Sequence, residues 1–298
     1  MRMAEWLNRL SERGVLISDG AWGTQLAERG LTTGVAPEAW NADNPDAVRA
    51  VARAYVDAGS DIILTNTFGG SPLKLEKAGL GERVAELNRL GVELSKEAAG
   101  EAVLVFASLG PTGEFMQPLG TITEAEMVAG FSRQVQAFLE GGADGVVIET
   151  MTDLGEARAA LRAVRENSDL PAVVSMTFDK GVKGYATMMG VRPEQAAAEL
   201  DGAGADAVGA NCGSGIEDVT EVTRLMRTAT VNPLWAKPNA GLPELVGGET
   251  VFRETPEQMA ARLGGLVEAG AGIVGGCCGT TPAHVAALVK ARGKLDLG

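Results

Sequence analysis

AYVDAGSDIILTNTF (54–68), AFLEGGADGVVIET (137–150), ELDGAGADAVGANC (199–212) and GLVEAGAGIVGGCC (265–278) are four versions of one unit. In each, the end of a helix meets a Gly or Ala-Gly stop, a short polar link and then a continuous apolar run. Glycine closes a helix because it accepts the left-handed conformation at no steric cost. The apolar runs are short, rich in Val and Ile, and do not alternate, which suits parallel strands buried on both faces. Outward from these four, runs of this kind fall at 15–18, 61–65, 102–108, 144–149, 171–177, 205–210, 232–236 and 271–276. Helical patterns occupy 45–58, 82–99, 123–140, 154–167, 192–203, 215–229, 255–269 and 281–292, the last opened by Thr281 and Pro282 as N-cap and first-turn residue. Strand and helix alternating eight times predict an α/β chain folded as one (β/α)8 TIM barrel over residues 1–298. The alternative, an open doubly wound sheet, is expected to carry G-x-G-x-x-G after its first strand, and SDGAWGTQL (18–26) has none. The longest irregular segments, 109–122 and 237–254, read as active-site loops.

Composition narrows the function. Hydrophobic residues make up 45% of the 298, which excludes a disordered chain, and no apolar run approaches the length of a membrane span. A net charge of −13 argues against nucleic acid as a partner, because phosphate backbones are held by Lys and Arg patches. MRMAEWLNRL (1–10) starts an amphipathic helix without the apolar core or cleavage site of a signal peptide, so a cytoplasmic location is expected. With one histidine and three cysteines, most hydrolytic machinery and any disulfide framework are out of reach.

In a barrel of this kind the active site is built where strands run into the following loops. Those positions hold Asp19 and Gly20, Thr65 and Asn66, Gly110 to Gly113, Glu149, Cys212, Asn239, and Cys277 with Cys278. All the cysteines of the chain are thereby expected on one rim. Three thiolates meeting at one point suit Zn²⁺, with one coordination position left open as in catalytic zinc sites. The opposing reading treats Cys277 and Cys278 as small apolar filler. Adjacent strand residues face opposite sides, so both reach one ion only if the backbone bends, which Gly275, Gly276 and Gly279 permit. His284 is expected about two turns along the last helix, pointing away from the rim. Asp19 could cap a helix starting near Thr24. Glu149, buried at a strand end, requires a cationic partner. Lys237 is a candidate for a salt bridge inside the barrel, and Met188 and Met189 read as packing.

DGAWGTQL (19–26), TNTFGGS (65–71), LGPTG (109–113), ANCGSG (210–215), KPNAGLP (237–243) and GGCCGTTPAHV (275–285) together resemble the homocysteine S-methyltransferase family, and within it the homocysteine-binding barrel of the cobalamin-dependent methionine synthases. The resemblance spans essentially the whole chain. It implies a zinc ion held by Cys212, Cys277 and Cys278, with the thiolate of homocysteine taking the open position and Asn239 the fourth ligand without substrate. It implies that Asp19 and Glu149 hold the substrate's amino group, and that Thr65 and the backbone at Gly20 belong to the amino-acid pocket. GGCCGTTP, LGPTG and PLG (118–120) favour a methyl donor carried as methylcobalamin on a separate corrinoid protein or on absent domains. S-methylmethionine and betaine are the alternative donors, betaine disfavoured by an aromatic content of 4% that is poor material for a quaternary-ammonium cage. Two readings lie outside methyl transfer. One is a zinc-dependent interaction or sensor module. The other is a zinc hydrolase, which three thiolates disfavour because they make the metal electron-rich.

Overall fold

The protein is described by a computed structural model covering residues 2–213, 215–247 and 249–295. Eight parallel strands form the centre: β1 (Leu16–Ile17), β2 (Ile62–Ile63), β3 (Leu104–Leu109), β4 (Gly145–Met151), β5 (Ala172–Met176), β6 (Ala207–Cys212), β7 (Leu234–Pro238) and β8 (Ala271–Val274). They pair in the order β1-β8-β7-β6-β5-β4-β3-β2, and a parallel bridge between Ser18 and Ile62 joins the first strand to the second. The ring is a (β/α)8 barrel, as the alternating pattern predicts. Each run expected from the sequence overlaps its strand with ends that agree to within two residues, and β3, β4, β6 and β7 extend past the end of the run.

The helices follow, with one break and several short additions. The segment expected as one helix over 255–269 is two short helices, Pro256–Ala261 and Leu263–Glu268, broken at Arg262. The loops after β5 and β7 carry small antiparallel hairpins, Asp179–Gly181 with Gly184–Ala186 and Glu244–Val246 with Glu249–Val251. The helix expected to start within residues 1–10 runs Arg2–Arg13 and precedes the barrel, and the short helices at Trp40–Asp43 and Pro72–Lys77 are not expected from the sequence.

Alternation along each strand separates two apolar cores. Outward residues such as Val105, Ile148, Val174 and Val208 pack under the helices. Inward residues Leu16, Ile62, Phe106, Val147, Val173 and Trp235 fill the barrel with Trp6, which comes from the N-terminal helix. Trp6 meets Phe106 edge-on, ring centroids 6.2 Å apart, and closes the lower end. The ends of the chain are tied down at that end. Arg13 and Arg292 both pair with Asp61, whose carboxylate also accepts from the Ile17 amide at 2.7 Å.

A ring this narrow takes a tryptophan only where a neighbour has no side chain. A Cβ at Gly209 would lie 2.0 Å from the Trp235 carbonyl oxygen, a backbone atom that cannot swing aside. Gly209→Ala is therefore expected to destabilise the fold by about 3 kcal/mol or more. Urea unfolding measures this, and a loss under about 1 kcal/mol would show that the barrel relaxes around the added methyl.

Candidate functional site

The inward face of the barrel changes character along its length. On β3 the inward series runs Leu104, Phe106, Ser108, on β4 Gly145, Val147, Glu149, and on β7 Trp235, Lys237. On β5 and β6 the inward series reaches Ser175 and Asn211. The period of two thus carries an apolar layer below and a polar layer above. Over the polar layer opens a cavity of about 490 Å³, walled by Cys212, Cys277 and Cys278 on one side and by Trp22, Phe68 and Lys74 among others.

The three sulfurs all lie within 4.8 Å of one another, Cys212 Sγ 2.9 Å from Cys277 and 3.9 Å from Cys278. Backbone hydrogen bonds bring them there. β8 ends at Val274. The chain then bends so that the Cys277 amide donates to the Pro238 carbonyl at 2.8 Å, and the Cys278 carbonyl accepts from Ala240 at 3.0 Å. Cys212 sits at φ +59° and Thr150 at φ +63°, both left-handed and costly for residues with a Cβ. Asn211 bonds to Thr150 and precedes Cys212 in the chain. Its Oδ1 accepts from the Thr150 amide (2.9 Å) and Ser175 Oγ (2.6 Å), and its Nδ2 donates to Thr150 Oγ1 (2.7 Å) and toward Cys277 Sγ (3.8 Å).

Crowded thiols cannot all ionise together. Hydrogen bonds from Cys212 and Cys277 hold the Cys278 thiol down at about 3. The Cys212 thiol is driven far above the usual thiol range by its hydrogen bonds to the other two and by burial. A divalent cation would reverse that conflict, since coordination deprotonates thiols outright. Tetrahedral zinc with bonds near 2.3 Å separates sulfurs by roughly 3.8 Å, so the donor set fits after an opening of about 1 Å at Cys277. Asn239 also fits. Its Nδ2 donates to the Gly213 carbonyl at 2.7 Å, while its buried Oδ1 finds no hydrogen-bond partner among the described residues.

Below the sulfurs is a buried ion pair. Lys237 Nζ (residue 2% exposed) lies 2.6 Å from Asp19 Oδ1 (residue 0% exposed). Asp19 Oδ2 accepts from Trp22 Nε1 at 2.8 Å and from the Leu64 amide at 2.7 Å. Asp19 therefore stands behind the cavity wall rather than on it, fixing Lys237 and Trp22, which do line the cavity. It does not cap the first barrel helix, Trp22–Glu28, whose N-cap is Ala21. Glu149 does line the cavity and accepts from Ser108 Oγ at 2.5 Å. Burial pushes its carboxyl up to about 7 against the pull of Lys237, the cation its position demanded.

Thr65 and Gly20 are also on the wall. Thr65 Oγ1 accepts from the Ser108 amide at 3.0 Å and shares a hydrogen bond with Thr67 Oγ1 at 2.6 Å. A Cβ at Gly20 would fall 2.8 Å from Thr280 Oγ1 and 2.9 Å from the Tyr55 hydroxyl, so glycine lets this stretch of the wall pack against both. Two expectations are corrected. His284 lies in the first turn of helix Pro282–Arg292, not two turns along. Its Nδ1 accepts from the Thr281 amide at 3.1 Å, and its Nε2 contacts the Glu254 carbonyl at 2.9 Å, so it caps and packs. Met188 is 70% exposed on the loop after the first hairpin and packs in no core. The sequence reading missed Asn211, Glu38, Phe68 and Lys74. Only Asn211, next to a cysteine at a strand end, carried a local signal.

The homocysteine S-methyltransferase family model matches residues 16–292. The chain belongs to this family. It is 31% identical to the methionine synthase of Mycobacterium leprae and 32% identical to that of Mycobacterium tuberculosis, over 98% and 96% of its own length. It spans about a quarter of the length of those relatives. Among solved structures it resembles the homocysteine methyltransferase MmuM of Escherichia coli in its metallated form, with a TM-score of 0.78 and 28% identity over 93% of this chain and 96% of that one. The oxidised form of the same protein aligns with a TM-score of 0.76. No helix among the described residues is long and apolar enough to cross a membrane.

The raised Glu149 carboxyl has a measurable sign. Between its ordinary value of 4.5 and about 7 the folded protein keeps a proton that the unfolded chain releases. Native stability contributed by this group is therefore present below pH 4.5 and is lost as pH rises to about 7. In metal-free protein Glu149→Gln is expected to remove a fall of about 3 kcal/mol across that interval. Denaturation at a series of pH values compares the two chains, and identical profiles would mean that Glu149 is ionised throughout.

Proposed function

We propose that this barrel transfers a methyl group to the thiol of homocysteine, giving methionine, with zinc held by Cys212, Cys277 and Cys278 and with Asn239 as the fourth ligand before substrate arrives. The observation that carries the reading is the meeting of three sulfurs from β6 and the β8 loop within 4.8 Å on the wall of a polar-floored cavity. An ordinary thiol near pKa 8.5 is only about 3% thiolate at pH 7, and zinc, when bound, supplies the missing acidity by holding the acceptor's sulfur in its ionised form.

The chain's own residues do the rest. Glu149, ionised beside Lys237, receives the substrate's ammonium. Asp19 supports that contact from behind by fixing Lys237. Thr65 and the Gly20 backbone shape the space for the amino-acid portion. Asn211 ties Thr150, Ser175 and the Cys277 sulfur together beside Cys212, so the sulfurs stay aimed at one point. Apolar walls at Trp22 and Phe68 limit water around the reacting sulfur.

The donor in this reading is a methylated corrinoid delivered by a separate protein or by further domains, which the GGCCGTTP motif and the likeness to methionine synthases support. A small-molecule donor such as S-methylmethionine is the second reading, favoured by the match to 96% of the Escherichia coli homocysteine methyltransferase, a chain of barrel length. The whole of residues 1–298 is then one homocysteine-binding domain acting in the cytoplasm.

Zinc analysis should give about one ion per chain. Alanine in place of any one of the three cysteines should lower zinc affinity by orders of magnitude and abolish methionine formation. Full zinc content and turnover in any single variant would exclude that residue as a ligand. Assays of one preparation with methylcobalamin, S-methylmethionine and betaine identify the donor. Zinc binding without methionine from any of them would point instead to a sensor or interaction role.

A further inference from the structure

The cavity contains a second cation that the chemistry above leaves unused. Lys74 lies on the short helix Pro72–Lys77, in the loop that follows β2. Around the ring β2 is four strands from β6, so this wall faces the one that carries Cys212. The Lys74 ammonium rests over the face of Phe68, 4.9 Å from the ring centroid, and the side chain is half-buried on the cavity wall.

The neighbouring lysines are paired. Lys237 is taken by Asp19, and Lys77 pairs with Glu114 outside the cavity. Two acids, Glu38 and Glu156, attract Lys74 through space, but among the described residues neither pairs with it and their hydrogen bonds go to other groups. Glu38 Oε1 accepts from the Gly69 amide at 2.5 Å, and Glu156 Oε1 from the Thr112 amide and hydroxyl at 2.7 and 2.6 Å. Among the described residues Lys74 makes no ion pair and its ammonium no hydrogen bond. An ammonium half withdrawn from water, backed by an aromatic face and directed at a cavity, is a ready partner for an anion. Its partial burial lowers the lysine's affinity for its proton, a cost that a bound anion would relieve.

We propose that Lys74 recognises the α-carboxylate of an amino-acid reactant in this cavity. The inference rests on the homocysteine methyltransferase reading for the identity of that reactant. Homocysteine has eight non-hydrogen atoms. At roughly 30 Å³ each, a generous share, they fill about half of the cavity. The carboxylate therefore has two sources, the acceptor itself or a small amino-acid donor alongside it.

The experiment compares wild type with Lys74→Met, Lys74→Gln and Lys74→Arg, all loaded with zinc. Acceptors are L-homocysteine and its decarboxylated analogue, aminopropanethiol. Donors are S-methylmethionine, which has a carboxylate, and trimethylsulfonium and methylcobalamin, which have none. Lys74→Met and Lys74→Gln are expected to raise KM for one carboxylate-bearing reactant about tenfold or more, leave its carboxylate-free counterpart unchanged, and keep the zinc content. Lys74→Arg should restore most of the loss. The reactant affected names the source. Unchanged KM values, or equal rises with and without the carboxylate, overturn the proposal while leaving the methyltransferase reading intact. If wild type makes no methionine from any donor, that reading fails, and calorimetric titration of the two thiols and S-methylmethionine into wild type and Lys74→Met still decides. A carboxylate preference abolished in the variant supports the role of Lys74, and its persistence or absence in both overturns it.

Discussion

Three sulfurs held within 4.8 Å of one another are an unfavourable arrangement until something positive sits among them. As thiols they compete for each other's protons, and as thiolates they repel. The rest of the upper barrel can be read as the apparatus that tolerates this crowding. Left-handed Thr150 is held by two hydrogen bonds to Asn211, whose neighbour in the chain is left-handed Cys212, and the Cys277–Cys278 bend is bonded to the strand end at Pro238 and to Ala240. Strain of this kind persists only where neighbours over-determine it. Here they do so around a single point.

The polar layer beneath carries a second electrostatic constraint. Asp19 and Lys237 neutralise each other out of contact with water, and a pair so placed is weak evidence for stability but strongly orients what it touches. It fixes Trp22 on one wall and sets the charge that Glu149 experiences on another. A carboxyl close to balance between its two forms near neutrality, and open to the cavity, suits the recognition of an ammonium group.

Much of this was legible in the order of residues. Continuous Val- and Ile-rich runs closed by glycine located all eight strands, because a strand buried on both faces has no polar period to hide it. The cysteines could be placed on one rim because each follows such a run. Less legible were contacts made between distant segments. Glu38 and Lys74 come from loop helices whose approach to the mouth depends on tertiary packing. Asp19 has the composition of a site residue, yet its neighbours Lys237 and Leu64 turn its carboxylate inward. The helix break at Arg262 and the two hairpins leave only weak propensity signals, and the apolar pattern around 255–269 runs through the interruption.

Trp6 has a consequence of its own. With its indole set against Phe106, the described residues fill the lower end of the barrel beneath the cavity. The layer that Trp6 completes leaves the cavity facing the upper rim, so a reactant seated beside Cys277 and a partner approaching it would share one entrance.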